Sequence, residues 1–187
     1  MYVYLALYGV VGGQYKYFVA QKNEYAQFFN HDLEQAHDII HGPNSWVFPG
    51  GKALDNDLSD AYREFEEETG VSESDIDSFG YVDTITNGSD YKVFFVYCQN
   101  IEDVLVWASD NLGYVEIVQD DELSKVQLVT SKEAINLFLK TPKDSSWFIE
   151  ALLEFMDRKK NCYSQIFWME ESFPGFYNNI NFNETFK

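Results

Sequence analysis

Three glutamates, Glu64, Glu67 and Glu68, follow one another at the spacing i, i+3, i+4. On a helix this spacing places their carboxylates on one face. Like charges that close repel each other, so a divalent cation bound to them would relieve the repulsion. Hard cations such as Mg²⁺ take oxygen ligands and are natural partners of phosphate chemistry. The spacing therefore predicts a Mg²⁺ or Mn²⁺ site, and the ordinary alternative is a solvated helix face.

A helix from about Leu58 to Thr69 is predicted to carry these glutamates. Asp57 is a suitable N-cap, Asp60 lies in the first turn, and Gly70 is a suitable stop. An apolar stripe at i, i+3, i+4 and i+7 runs beside the acidic face, formed by Leu58, Ala61, Tyr62 and Phe65. We expect this stripe to pack on a sheet and the carboxylates to face a cleft.

The residues from Arg63 to Val71 read Arg-Glu-Phe-Glu-Glu-Glu-Thr-Gly-Val, and Phe-Pro-Gly-Gly-Lys stands upstream at 48–52. Together these segments resemble the signature of the Nudix hydrolases, whose second half, Arg-Glu-U-x-Glu-Glu-x-Gly-U with U a bulky apolar residue, is matched residue for residue. The resemblance implies an α/β/α sandwich with a central mixed sheet. It also implies Mg²⁺- or Mn²⁺-dependent cleavage of a nucleoside diphosphate linked to another group.

The first half of the signature departs from the family pattern. Arg63 follows Gly51 by 12 positions, which is two residues shorter than the family spacing. Counting back from Arg63 brings Asp55 to the place of the family's first glutamate. The simplest account is a deletion in the loop between Gly51 and Asp55, and it leaves the role of Asp55 open.

Roles for individual residues follow from the resemblance. It implies that Glu67 and Glu68 are the main metal ligands and that Glu64 assists them or acts as a base. It also makes the Gly50 carbonyl a ligand and has Arg63 orient a carboxylate. The remaining position is Lys52, which is a candidate for contact with a substrate phosphate or an ordinary exposed lysine.

Some relatives use a further acid from a later loop. Glu122, which precedes a predicted strand, is our candidate for this catalytic role. Asp121, Asp120 and Glu116 are rivals, and a solvated loop is an alternative to all of them.

Composition limits the classes of partner. The 187 residues carry 31 acidic and 13 basic side chains, for a net charge of −18, and no cluster of Lys and Arg that would bind a phosphate backbone. Long nucleic acid is therefore an unlikely partner, and a small nucleoside diphosphate derivative is the expected one. No apolar run is long enough for a membrane span. Two cysteines make no disulfide framework, which favours a reducing cytoplasm.

The elements around the motif predict an α+β sandwich, with a mixed sheet between helices. Strands are predicted at 3–10 and 15–22, joined by Gly12-Gly13, and at 46–48, 78–86, 91–99, 104–108, 114–118 and 125–129. Ser131 is predicted to cap a helix that runs to about Leu139. Ser145 or Ser146 is predicted to cap a second helix, with cations at 158–160 near its end. Residues 24–41 are predicted to be helical or irregular.

The domain prediction has two parts, a Nudix-like domain over 1–160 and an aromatic C-terminal extension over 161–187. The extension is too apolar for a disordered tail, so we expect it to pack on the domain or on a partner such as a second copy in a homodimer. It carries eight aromatic residues, at Tyr163, Phe167, Trp168, Phe173, Phe176, Tyr177, Phe182 and Phe186.

Two functional alternatives stay open at the level of sequence. One is a nucleotide-sensing module that keeps the fold without catalysis, which the shortened loop favours. The other is mRNA decapping, which the acidic charge disfavours. His37 and His41 have the i, i+4 spacing of a metal pair, but no further ligand stands near them in the sequence. Several aromatic residues are candidates for stacking on a nucleobase, namely Tyr4, Tyr15, Tyr81 and Tyr91.

Overall fold

The computed structural model describes residues 1–32, 40–55, 58–78, 82–88, 90–140 and 146–172, without the side chains of 146 and 161–172. The first four strands are β1 Tyr2–Val11, β2 Gln14–Lys22, β3 Trp46–Val47 and β4 Gly50–Lys52. Helix α1 follows at Leu58–Thr69, with a short 3-10 helix at Glu73–Asp75. The remaining elements are β5 Asp83–Asn87, β6 Tyr91–Tyr97, α2 Ile101–Asn111, β7 Leu123–Val129, α3 Ser131–Leu139 and α4 Ser146–Ser172.

Seven strands form one mixed sheet in the order β3-β2-β1-β6-β5, with β4 also paired to β1 and β7 also paired to β2. The β1–β6 pair is parallel, and the other pairs are antiparallel. The predicted α+β class with a mixed sheet is confirmed. The predicted hairpin around Gly12-Gly13 is also confirmed, because β1 and β2 pair directly on either side of it.

The sheet divides near the motif. β1 and β2 pair only where Tyr8–Val11 meets Gln14–Tyr17. Beyond that point β1 pairs with β4, whereas β2 pairs with β3 and β7. The chain between β3 and β4 crosses this opening, which we call the sheet divide, and is held there by the Leu5 amide, which donates to the Pro49 carbonyl at 2.9 Å.

Helices cover both faces of the sheet. On one face, Phe18 of β2 packs on Phe65 of α1 with ring centroids 5.3 Å apart. On the other face, Tyr8 of β1 contacts Phe155 of α4 edge-on at 5.0 Å. Alternate residues of a strand point to opposite faces, so the apolar and aromatic content of β1 and β2 supplies both halves of the core.

The motif helix has the predicted bounds. Ala61, Tyr62 and Phe65 of the predicted stripe are buried, and Leu58 is partly buried. Gly70 ends the helix with φ of +67°, a left-handed conformation that glycine adopts without strain.

Two predicted strands are wrong. The run 104–108 lies inside helix α2, whose buried residues Ile101, Val104 and Ala108 recur at helical rather than strand spacing. The run 114–118 is a turn, in which the amides of Ile117 and Val118 donate to the Tyr114 carbonyl. Its β-branched residues raised the strand propensity, but no neighbouring strand pairs with it among the described residues.

The strand predicted from residue 78 is shorter than expected. Ser78 makes only an isolated bridge with Cys98, and β5 begins at Asp83. Residues 79–81, including Tyr81, lie outside the described residues.

The helices after β7 need two further corrections. Thr130, rather than Ser131, is the N-cap of α3, and its side chain accepts from the Glu133 amide. The basic residues at 158–160 do not end α4, because this helix continues to Ser172. Instead Lys159 pairs with Asp83 of β5 at 2.9 Å, which joins the helix to the sheet.

The boundary at residue 160 therefore falls within a continuous helix. The packing of 161–187 lies outside the described side chains, so the aromatic extension stays a prediction. Among the described residues, no helix has the length and apolar character that a membrane crossing requires.

We expect Phe65→Ala to lower the free energy of unfolding by about 3–5 kcal/mol, the usual range for removing a buried aromatic ring. Phe65 has no exposed surface and joins α1 to the sheet. Urea unfolding of the variant measures the loss. Glu66→Ala on the exposed side of the same helix is the matched control and should change stability by less than about 0.5 kcal/mol. Similar losses in both variants would contradict this packing.

Candidate functional site

Glu68 joins the motif helix to the turn that begins β4. Its carboxylate is buried, with 4% of the residue exposed, and it accepts a hydrogen bond of 3.0 Å from the Gly50 amide. Gly50 has φ of +150°, and a Cβ at this position would press on the Val3 carbonyl and the Tyr4 backbone. Glycine is therefore required at position 50 for the turn to approach both β1 and the helix.

Arg63 holds the other two motif glutamates. One guanidinium nitrogen donates to Glu67 Oε2 at 2.7 Å, and the other donates to Glu64 Oε1 at 2.6 Å. The second nitrogen also lies 3.3 Å from the Lys52 carbonyl. The Glu64 carboxylate lies so close to Gly51 that a Cβ there would strike it. Arg63 thus orients two carboxylates, where the sequence predicted one.

Asp60 anchors the loop that the motif spacing marked as shortened. Its carboxylate oxygen accepts from the amides of Leu54 at 2.9 Å and Asp55 at 2.7 Å. Asp60 is 6% exposed, whereas the Asp55 side chain is exposed. The predicted N-cap, Asp57, lies outside the described residues.

A lysine from the opposite side of the sheet divide completes the arrangement. Lys22, at the end of β2, donates to Glu122 Oε2 at 2.9 Å. The two side chains are 15% and 25% exposed. Glu122 lies just before β7, and it reaches Lys22 where an extra residue in β7, Ser124, shifts the β2–β7 register.

The charges of this cluster act on one another. Burial raises the pKa of Glu68 well above its ordinary value, and the charges of Glu122 and Glu64 raise it further. Burial also raises the pKa of Glu64, to which Glu67 and Glu122 add. Burial alone would lower the pKa of Lys22, but Glu122, Glu68 and Glu64 carry it above its ordinary value. The carboxylates therefore share one electrostatic environment that favours a cation.

The rivals of Glu122 have other contacts. Asp121 is buried and accepts from the Gln27 amide at 2.8 Å, and Asp120 accepts from the Asn30 amide at 2.8 Å. Both hold the loop that follows β2. Glu116 is exposed in the turn after α2. Burial raises the pKa of Asp120, and the charges of Glu122 and Glu67 raise it further, so Asp120 also lies within the field of the cluster. Glu122 is the acid that contacts Lys22, while its catalytic role stays a prediction.

Lys52 and the histidine pair lie apart from the cluster. The Lys52 side chain is exposed, and only its carbonyl reaches Arg63. His41 is also exposed, and His37 lies outside the described residues. Among the described residues, no group of three or more His, Cys, Asp or Glu side chains stands ready to hold a metal ion. The motif glutamates and Glu122 instead contact a protein cation or amide.

A family model described as the NUDIX domain matches residues 33–151. This match covers more than half of the 187 residues and includes the glycine turn, α1 and Glu122. The chain belongs to the Nudix family. The family membership predicted from the motif is therefore confirmed, and with it the class of Nudix-type pyrophosphohydrolase.

Solved structures share the same fold at low sequence identity. A C. elegans Ap4A hydrolase in a binary complex has a TM-score of 0.52 and 14% identity, and the alignment covers 86% of this chain and 99% of that one. A Nudix hydrolase from M. smegmatis, RenU, has a TM-score of 0.51 and 11% identity, with 86% and 85% covered. No curated protein matches the chain by sequence. These similarities concern the Nudix fold and not the substrate.

Lys22 and Asp60 were not predicted as parts of the site. Strand alternation held a signal for Lys22, because Phe18, Ala20 and Lys22 share the face of β2 that packs on α1. The sequence indicates Asp60 only as a favourable charge in the first turn of the helix. Its anchoring of the loop depends on a backbone conformation that residue spacing does not reveal.

We expect the metal-free protein to lose stability as the pH rises from the ordinary carboxyl pKa of 4.5 towards neutral. A raised folded-state pKa for Glu68 means that its contribution is complete below the unfolded pKa and is lost as the pH passes the folded value. Glu68→Gln should flatten this decline in unfolding free energy, measured by urea titration at several pH values.

Glu66→Gln is the matched control for this experiment, since Glu66 is exposed on the same helix and should leave the pH dependence unchanged. An identical pH profile for Glu68→Gln and wild type would contradict the raised pKa.

We expect Lys22→Met to destabilise the protein by about 3 kcal/mol, because removing one partner of a buried pair leaves its carboxylates uncompensated. The melting temperature should fall by roughly 6–12 °C, as measured by calorimetry. The double variant Lys22→Met/Glu122→Gln should recover part of the loss.

Lys16→Met is the control on the same strand, since Lys16 pairs at 3.8 Å with a Glu133 side chain that is 58% exposed, and it should change stability by less than about 1 kcal/mol. Equal effects at Lys16 and Lys22 would refute the buried charge cluster.

Proposed function

We propose that the protein is a Mg²⁺- or Mn²⁺-dependent hydrolase that cleaves the diphosphate bond of a nucleoside diphosphate linked to another group. The observation that carries this proposal is the set of carboxylates from Glu64, Glu68 and Glu122 at the sheet divide, each within the electrostatic field of the others. Family membership supports a pyrophosphohydrolase, and we propose that its chemistry takes place at this cluster.

The donor set fits a hard divalent ion in its chemistry. Every candidate ligand is an oxygen, from Glu64, Glu67, Glu68 or the Gly50 carbonyl, as Mg²⁺ requires. Burial and the neighbouring carboxylates raise the pKa values of Glu68 and Glu64, so a bound cation would stabilise their charged forms.

Each residue then has a defined task. Glu67 and Glu68 would hold the ion together with Glu64 and the Gly50 carbonyl. When bound, a divalent ion offsets charge on the diphosphate and lowers the pKa of water. Arg63 keeps Glu64 and Glu67 oriented through its two donor nitrogens, and Glu122 accepts a proton from the attacking water. Lys52, on the exposed end of β4, contacts a phosphate of the substrate.

Lys22 sets the availability of Glu122 as a base. While Lys22 donates to Glu122 Oε2 at 2.9 Å, that carboxylate oxygen is already occupied by a hydrogen bond. A phosphate arriving near Lys22 draws the ammonium towards itself and frees the Glu122 oxygen. Proton acceptance is thereby linked to the presence of substrate.

The proposed substrate is small. The net charge of −18 disfavours long nucleic acid, and the expected range includes nucleotide sugars, ADP-ribose, dinucleotides and nucleoside triphosphates. The C. elegans relative is named an Ap4A hydrolase, but at that identity it shares only the fold. A cytoplasmic location and a homodimer remain predictions from composition and from the aromatic extension.

We expect Glu67→Gln to lower kcat by at least about 100-fold, since changes to groups that merely support metal ligands already lower activity by about 10–100-fold. The assay follows phosphate-ester release with Mg²⁺ or Mn²⁺ from nucleotide sugars, ADP-ribose, dinucleotides, NADH and capped RNA. Glu66→Gln, an exposed neighbour on α1, is the matched control and should retain full activity.

Equal turnover by Glu67→Gln and wild type would defeat the proposed role of the motif. Absence of turnover on the whole panel, with both metals, would defeat the proposed activity. Preferential cleavage of capped RNA would redirect the proposal to decapping.

A further inference from the structure

An acid in the first turn of α1 has a different partner for each of its two carboxylate oxygens. Asp60 Oδ2 accepts from the backbone amides of Leu54 at 2.9 Å and Asp55 at 2.7 Å. Asp60 Oδ1 lies 3.5 Å from Arg63 Nε. The Asp60 side chain is 7% exposed, so these contacts are shielded from water. One buried carboxylate therefore joins the shortened loop to the arginine of the motif.

The Nε atom of Arg63 faces this carboxylate from a buried position. Within the part of the chain that the structure describes, Nε forms no hydrogen bond of its own. A buried N–H group that lacks a hydrogen bond costs free energy. The negative charge of Asp60 at 3.5 Å offsets part of that cost, and it favours the orientation of the guanidinium in which Nε stays buried.

The two terminal nitrogens of Arg63 bind the motif glutamates. One donates to Glu67 Oε2 at 2.7 Å, and the other donates to Glu64 Oε1 at 2.6 Å. A guanidinium is planar and its N–H groups have fixed relative directions, so the place of Nε limits where the terminal nitrogens point. A carboxylate that holds Nε therefore also sets the directions from which Glu64 and Glu67 are held.

The shortened loop turns its backbone, rather than an acidic side chain, towards this group. Asp55 stands at the place of the family's first glutamate, but its side chain is exposed and its amide is a donor to Asp60. The Lys52 carbonyl lies 3.3 Å from a terminal nitrogen of Arg63. The contacts described for this loop thus converge on Asp60 and Arg63, and the carboxylate among them belongs to Asp60.

We propose that Asp60 is a positioning residue for the divalent-ion site, which holds Arg63 so that Glu64 and Glu67 are oriented for the ion. This inference rests on the proposed function for the presence of the ion. It adds to the site a residue that the motif spacing did not assign. It also gives the shortened loop a structural counterpart, since a carboxylate on the helix secures both the loop and the motif arginine.

The contact is tested by NMR of the arginine Nε–H groups in the full-length protein with EDTA, without metal or substrate. The chain has two arginines, Arg63 and Arg158, so two signals are expected, and Arg158→Lys identifies them. Asp60→Asn keeps an oxygen for the loop amides but removes the charge that faces Nε. Hydrogen exchange at Arg63 Nε should become at least about tenfold faster in this variant, as expected when a charged partner is lost. Exchange at Arg158, which pairs with Glu154 on α4, should not change.

The effect on the ion is measured by titrating Mn²⁺ and recording the EPR signal of the free ion. We expect Asp60→Asn to weaken Mn²⁺ binding by about 10–100-fold, the usual effect of losing a group that supports metal ligands. Asp55→Asn is the matched control, since it makes the same change at an exposed acid of the loop, and it should keep the wild-type affinity. In an Arg63→Gln background, Asp60→Asn should weaken binding no further, because a residue that acts through Arg63 has no effect once Arg63 is absent.

The absence of a slowly exchanging Arg63 signal in the wild type, or unchanged exchange in Asp60→Asn, would overturn the contact. Wild-type Mn²⁺ affinity in Asp60→Asn, an equal loss in Asp55→Asn, or an additive loss in the double variant would overturn the positioning role while leaving the proposed function standing. If the wild-type protein bound no Mn²⁺, the proposed function would fail and with it the role of Asp60 towards the ion, whereas the NMR result would still decide the contact with Arg63.

Discussion

Confinement of negative charge at the sheet divide is the constraint on which the site depends. Glu68 is buried against the Gly50 amide, and Glu64 and Glu122 lie within its field. Such a group of carboxylates folds only if positive charge is close by. The protein provides it from two directions, with Arg63 on the motif helix and Lys22 on β2. These two cations contact Glu64, Glu67 and Glu122 and so offset part of the negative charge.

The divided sheet makes that arrangement possible. If β1 and β2 remained paired along their full length, their backbone hydrogen bonds would close the space into which Lys22 and Glu122 project. Because β1 pairs with β4 and β2 pairs with β7, side chains from α1, from the end of β2 and from the residue before β7 meet at one opening. Glycines at 50 and 51 fill the tightest part, where a Cβ would strike Tyr4 or the Glu64 carboxylate.

Local sequence predicted the parts of this arrangement that depend on local periodicity. The bounds of α1, its buried stripe, its glycine stop and the first hairpin all follow from spacing and turn chemistry. The strand prediction at 104–108 failed because a short apolar run satisfies both periodicities, and burial at Ile101, Val104 and Ala108 decides between them only in three dimensions. The cap prediction at Ser131 failed because Thr130 makes reciprocal hydrogen bonds with Glu133 and is itself the N-cap.

The carboxylates of the candidate site and Arg63 were predicted from the sequence, whereas Lys22 was missed. Glu64, Glu67, Glu68 and Arg63 are neighbours on one helix, so a spacing rule finds them. Lys22 and Glu122 stand 100 positions apart, and no local pattern relates them. Their encounter depends on the pairing of β2 with β7, and the register of that pairing depends on the extra residue at Ser124.

The distance in sequence between Lys22 and Glu122 also affects the order in which the protein folds during synthesis. The pairing of β2 with β7 and the parallel pairing of β1 with β6 join distant parts of the chain, and closing such long loops slows folding. During synthesis the acidic helix emerges from the ribosome well before Glu122 and β7. Until Glu122 emerges, Lys22 in the N-terminal hairpin has no Glu122 carboxylate to bind. The order of translation thus delays assembly of the active region until the last strand is available, and the nascent chain spends that interval with an open sheet edge along β2.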